Sequence, residues 1–159
     1  MIMNTTIHPY RYSVTGALCA GAVLLTGLST AAQNLFLSNY YTGNIYEFTP
    51  GGVESTFASG LNVPMGLAFN SAGNLFVADS GSGNIYEYTL GGARTTFASG
   101  LNYPWGLAFN TTGNLFVADT GSGNIYEYTS GGVRSTFASG LSNPLDLEHL
   151  HKSYSVVGM

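Results

Sequence analysis

The sequence predicts an all-β chain made of β-propeller-type blades, each with four antiparallel strands. Two observations carry this reading. A 40-residue repeat begins near Asn34, Asn74 and Asn114, and the segments Asn74–Pro104 and Asn114–Pro144 differ at only six positions. A fixed period of this length marks a repeat architecture, in which one unit cannot bury its apolar surface alone. Each repeat also holds four short runs of strand-favouring residues separated by turn chemistry. A third observation sets the limit. Three blades' worth of strands are present, against roughly four to eight in a closed ring, so the expected form is an incomplete propeller arc.

The first 32 residues read differently from the rest. Arg11 is followed by the uncharged run Val14–Leu28 and then by Ser29-Thr30-Ala31-Ala32. A basic start, a short apolar stretch and a small-residue exit describe a secretory signal peptide. We therefore expect a secreted or periplasmic protein. The alternative is an uncleaved anchor, although the run is shorter than the ~20 residues of a typical span. Cys19 is the only cysteine and lies in this segment, so a processed chain would have no disulfide and no thiolate site.

The repeats occupy residues 33–145. In the second repeat the strand runs are Gly66–Phe69, Asn74–Ala78, Asn84–Thr89 and Arg94–Ala98, here called a, b, c and d. Strand a alternates small Gly66 and Ala68 with Leu67 and Phe69, which suits the innermost strand where blades converge. Strand b is apolar at Leu75, Phe76, Val77 and Ala78 in succession, so both its faces must be covered. Strand c alternates Tyr86 and Tyr88, as the other repeats do with Tyr46/Phe48 and Tyr126/Tyr128. Such pairs fit packing ladders between blades. Strand d starts at Arg94, Arg134 or Glu54, suited to a solvated outer strand. The intervening segments, such as Asp79–Gly83, are rich in Gly, Asp, Asn and Ser, the residues of tight turns.

The register continues past the third repeat. A further a strand is expected near Leu145, bringing the total to twelve. There, however, Asp146 and Glu148 replace the glycine and alanine of the inner strand, and charges in a tight site are costly unless paired. Residues 146–159 thus read as a divergent tail. Two explanations follow for the open arc: a truncated or diverged reading frame, which these charges favour, or closure by a second copy.

The stretch Pro64–Asp79 followed by Gly83–Tyr88, and again Pro104–Asp119 followed by Gly123–Tyr128, resembles the NHL repeat. The wider group includes gluconolactonase- and regucalcin-like hydrolases and virginiamycin B lyase-like propellers. This resemblance implies a six-bladed propeller. In the lactonase-like relatives it also implies a divalent metal held near the axis, partly by an Asp just before the glycine of strand a. Met65 and Trp105 stand at those places here.

Antiparallel order puts the b–c and d–a loops on one rim. That rim gathers Asn39, Asp79 and Asp119 with Met65, Tyr103 and Trp105, and these six are the predicted ligand-contacting residues. The variable positions Met65, Tyr103 and Trp105 suit an apolar and aromatic patch of the kind that anchors peptides or sugars. Packing between blades would use the same residue types. Asp79 and Asp119 invite a divalent metal such as calcium, but one carboxylate per loop falls short of the six to eight oxygens calcium takes. A loop-capping role fits them better. No cofactor is otherwise expected. His149 and His151 make a weak metal pair, and no nucleophile elbow or phosphate loop is present.

Beyond residue 32 there are three basic residues, Arg94, Arg134 and Lys152, against eight acidic ones. This excludes a basic footprint for nucleic acid or an anionic membrane. The expected function is a binding or scaffolding module for a protein, peptide or carbohydrate ligand, with self-association to complete the ring as the less favoured explanation of the open arc. A fragment of a lactonase- or lyase-like enzyme is the alternative, along with a truncated product that has no activity of its own.

Overall fold

The computed structural model describes residues 33–148. The proposed signal peptide and the histidines of the tail lie outside the described residues. The described residues form eleven strands. The first sheet contains β1 (Leu35–Asn39), β2 (Asn44–Phe48) and β3 (Glu54–Ala58). The second contains β4 (Pro64–Phe69), β5 (Leu75–Asp79), β6 (Asn84–Tyr88) and β7 (Arg94–Ala98). The third contains β8 (Pro104–Phe109), β9 (Leu115–Asp119), β10 (Asn124–Tyr128) and β11 (Arg134–Ala138). Each sheet is an antiparallel meander with one sheet per repeat, and no helix occurs among the described residues.

The inner strands touch without pairing. β1 lies against β4 and β4 against β8, with strand pairing only inside each sheet. Close approach explains the small residue in strand a. A Cβ on Gly66 would enter the van der Waals shell of the Trp105 carbonyl oxygen, and one on Gly106 would lie 2.6 Å from the Leu145 oxygen.

Two apolar layers hold the three sheets together. Phe36, Ile45 and Phe57 of the first sheet pack on Leu75, Val77 and Tyr88 of the second. Phe76, Ala78 and Ile85 of the second sheet pack on Leu107, Leu115 and Val117 of the third. Strand b is thus covered on both sides only in the middle sheet, where all of β5 is buried.

Each c–d pair carries a β-bulge. Ile45 faces Ala58 while Tyr46 faces Thr56, so Phe57 is the extra residue, and the same shift recurs at Phe97 and Phe137. The bulge turns each phenylalanine toward the b strand of its own sheet. Phe57 stacks edge-to-face on Phe36 at 5.2 Å and Phe97 on Phe76 at 5.0 Å. A bulge bends its strand and re-aims a side chain in this way.

One expected strand does not form. Residues 144–148 are irregular, and the described strands number eleven rather than twelve. The segment nevertheless lies where an inner strand belongs, beside Gly106. No b strand follows it among the described residues, so its backbone has no sheet to join.

Candidate functional site

The b–c and d–a loops meet on one rim, as the antiparallel order requires. Asp79 and Asp119 are the best-anchored groups there, each 2% exposed. One oxygen of Asp79 accepts the Asn62 backbone N–H at 2.6 Å, and the other accepts the Ser82 hydroxyl at 2.6 Å. Asp119 repeats both bonds with Asn102 and Ser122 at the same distances. Each carboxylate therefore joins the end of strand b to the d–a loop entering the same sheet. Buried carboxylates are tolerated when their oxygens are hydrogen-bonded in this manner. Asn39 acts differently. Its side-chain oxygen accepts Tyr41 N–H at 3.1 Å and Thr42 N–H at 3.2 Å, both within its own loop.

The d–a loops carry strained backbone. Val63, Tyr103 and Asn143 have φ of 58°, 52° and 50°. For a residue with a Cβ this region costs roughly 1–2 kcal/mol. Hydrogen bonds from the facing b–c loop stabilise it: Ser80 N–H to the Val63 oxygen at 3.1 Å, Gly81 N–H to the Asn62 oxygen at 2.8 Å, and Thr120 N–H to the Tyr103 oxygen at 3.3 Å. Tyr103 is held 63% exposed in this loop.

The inner strands are bulged at the same end. Pro64 faces Asp79 and Leu67 faces Val77, which leaves one extra residue at Met65–Gly66, and the third sheet repeats this at Trp105–Gly106. The bulge puts Met65 and Trp105 on an open channel along the inner edge of the sheets. Ser38 and Asp146 line it with them. Ser38 donates to the Met65 carbonyl at 2.6 Å, and Thr120 donates to the Pro144 carbonyl at 2.6 Å. The Ser80 hydroxyl makes the matching bond to the Pro104 carbonyl.

Of the six predicted residues, Met65 and Trp105 are brought together on the channel. Tyr103 stands near them in sequence, exposed in its d–a loop and not lining the channel. Asp79 and Asp119 lie buried beneath the loops, and Asn39 caps its own turn. Ser38 and Asp146 reach the channel without having been predicted. The signal for Ser38 was its place where the other repeats have Ala78 and Ala118. For Asp146 it was a charge where the other repeats have Gly66 and Gly106.

Two tyrosines stand out electrostatically. The hydroxyls of Tyr88 and Tyr128 are buried without a hydrogen-bond partner. Burial pushes both phenols above their usual value, and the neighbouring Arg94 and Arg134 oppose this more weakly. The two arginines sit over the adjacent rings, Arg94 at 4.8 Å from the Tyr86 centroid and Arg134 at 4.7 Å from that of Tyr126. Among the described residues, no three His, Cys, Asp or Glu side chains converge.

Known proteins place this geometry. No curated protein sequence matches the chain. Among solved structures it is similar to a streptogramin B lyase, with a TM-score of 0.64 and 15% identity over 71% of this chain and 40% of that one. It is also similar to a chain of a nidogen/laminin complex, with a TM-score of 0.62 and 26% identity over 70% of this chain and 46% of that one. A third likeness is to a protein assigned as a gluconolactonase, with a TM-score of 0.59 and 20% identity over 69% and 46% of the two chains. The chain thus spans less than half the length of each. The family model described as the SMP-30/gluconolactonase/LRE-like region matches residues 13–139. The chain belongs to the SMP-30/gluconolactonase/LRE-like family and carries a partial β-propeller.

Proposed function

We propose that this chain is an exported binding module that holds a peptide segment of a partner protein on the channel rim. The observation carrying this reading is the pairing of Met65 and Trp105 on the open channel, with Trp105 38% exposed. Tyr103 adds a second exposed aromatic on a strained, firmly hydrogen-bonded loop. Strained backbone gathers at sites where shape is fixed in advance, and exposed aromatics on rigid loops are the usual anchors of a binding surface. The likeness to a chain from a nidogen/laminin complex supports a protein partner. Export rests on the N-terminal sequence alone.

The experiment uses the single tryptophan, Trp105. Peptides enriched from a displayed random library on the full chain are titrated against its fluorescence. A saturable shift in Trp105 emission is expected, with loss of peptide binding in Trp105→Ala. Enriched peptides that leave the emission unchanged would remove the rim from this role.

A second reading draws on family membership and on the lyase and gluconolactonase likenesses. It takes the chain as part of a lactonase- or lyase-like enzyme, with Asp146 as one oxygen donor for a divalent metal on the channel. Calorimetry with calcium separates the two readings: saturable heat abolished in Asp146→Asn favours the enzyme, and no heat counts against it.

A further inference from the structure

Among the described residues, the middle sheet has both faces covered, while the outer sheets each leave one open. We propose that a second copy of this chain docks head to tail on these open faces, closing a two-chain ring. The partner for each face is already visible, because the chain makes the same interface twice within itself.

One side of this interface is a b-strand phenylalanine stacked on the bulged phenylalanine of strand d. Phe36 with Phe57, and Phe76 with Phe97, form that side in the two internal seams. Phe116 and Phe137 form it again on the third sheet, edge-to-face at 4.9 Å, with Phe137 62% exposed. The other side is the b-strand pair Leu75/Val77, repeated as Leu115/Val117. Leu35 and Leu37 form it on the first sheet and are exposed. The two open faces are therefore the two halves of a seam whose fit the chain demonstrates elsewhere. Exposed apolar faces of this kind mark association sites.

The backbone shows the same complementarity. β1 pairs only with β2, so its other edge is free among the described residues. Leu145–Leu147 is irregular and joins no sheet, but it lies where an inner strand belongs. It sits on Gly106 as Trp105–Leu107 sits on Gly66, and Thr120 holds Pro144 as Ser80 holds Pro104. A free strand edge accepts an added strand by β-augmentation. Carried over from the pairing of β8 with β9, the register sets Leu147 opposite Leu37 and Pro144 opposite Asn39 of the second copy. Two copies of the described three-sheet arc then give a two-fold ring within the usual range of about four to eight blades.

The tail charges do not keep this segment from its place. Asp146 is exposed, and its carboxylate accepts the Leu147 N–H at 2.9 Å. What it adds is a Cβ where Gly66 and Gly106 have none, at the closest approach of neighbouring inner strands. Asp146 is therefore the tightest point of the seam.

Sedimentation of the full chain tests the ring independently of any ligand. A species of two 16.7 kDa chains is expected. Leu37→Glu and Phe137→Glu should each be monomeric. Mixed together they should pair again, because each retains the face the other has lost. A monomer at all concentrations, an open ladder of larger species, or two variants that fail to complement each other overturns the proposal. Both substitutions lie on exposed positions, so circular dichroism should not change. If either variant unfolds, hydrogen exchange of the unsubstituted chain decides: β1 amides must gain protection as concentration rises, and constant exchange refutes the ring. Asp146→Gly should tighten the dimer several-fold, and a looser dimer would remove the tail from the seam.

Discussion

Leu75 and Leu35 occupy the same position of strand b in neighbouring repeats, yet Leu75 is 1% exposed and Leu35 68% exposed. Nothing in their immediate sequence separates them, since each precedes a phenylalanine in a run of the same pattern. The difference comes from the neighbour. Phe36, Ile45 and Phe57 lie over Leu75, and among the described residues no sheet lies over Leu35. In a stacked repeat, stability is a property of seams as much as of units. Among the described residues, the middle sheet is therefore the only one with both faces of its b strand covered.

The largest expected effect tests this contrast directly. Leu75→Ala should destabilise the chain by about 2–5 kcal/mol, the usual result of emptying a packed site. Leu35→Ala should cost less than about 0.5 kcal/mol in the monomer, as substitutions away from packed features do. Urea unfolding of both variants gives the two values. Equal losses would mean that the first blade face is covered in solution, which dilution of the sample would then reveal.

The same positional logic explains what could be read in the sequence. Strand composition and glycine-rich turns were sufficient for the blades, because every repeat states them again. Register shifts were not visible. A bulge adds one residue without changing composition, so neither Phe57 nor Met65 betrays that it is the extra one. For the site, Met65 and Trp105 were found because they vary at a repeated position. Asp79 and Asp119 were placed on the same rim, but their burial depends on bonds to Asn62 and Asn102, seventeen residues away in each case. The last inner strand was expected from register alone. Pairing needs a partner strand, and none stands beside Pro144–Glu148 among the described residues.

An intermediate effect is expected where the repeats differ in chemistry. Tyr88 and Tyr128 bury an unpartnered hydroxyl, whereas the first repeat has Phe48 at that position. Tyr88→Phe should therefore stabilise the chain by about 1 kcal/mol, the order of an unsatisfied buried group. The pH dependence has a definite sign. Burial raises the phenol's pKa in the folded state, so near and above pH 10 the unfolded chain loses this proton first. Stability should then fall as pH rises from the unfolded value through the folded one. Below that window the phenol is protonated in both states and contributes no slope. Tyr88→Phe should flatten part of the alkaline decline, and Tyr88→Phe with Tyr128→Phe should flatten more. An unchanged alkaline slope in the double variant would mean that the hydroxyls are hydrated.

The smallest effect concerns the outer strands. Arg94 and Arg134 lie over the rings of Tyr86 and Tyr126, while the first repeat has Glu54 at the corresponding position. An exposed cation over an aromatic ring contributes about 0.5–1 kcal/mol. Arg94→Glu makes the second repeat like the first at this point and should lose about that much. Glu54→Arg should recover a similar amount by covering Tyr46. Both substitutions change net charge and ring contact in the same sense, since the chain already carries a net charge of -4. Repeating them in high salt, which screens general charge effects, isolates the ring contact. If both variants lose stability, the outer strands are not equivalent, and the contrast between the first and second sheets extends beyond their covered faces.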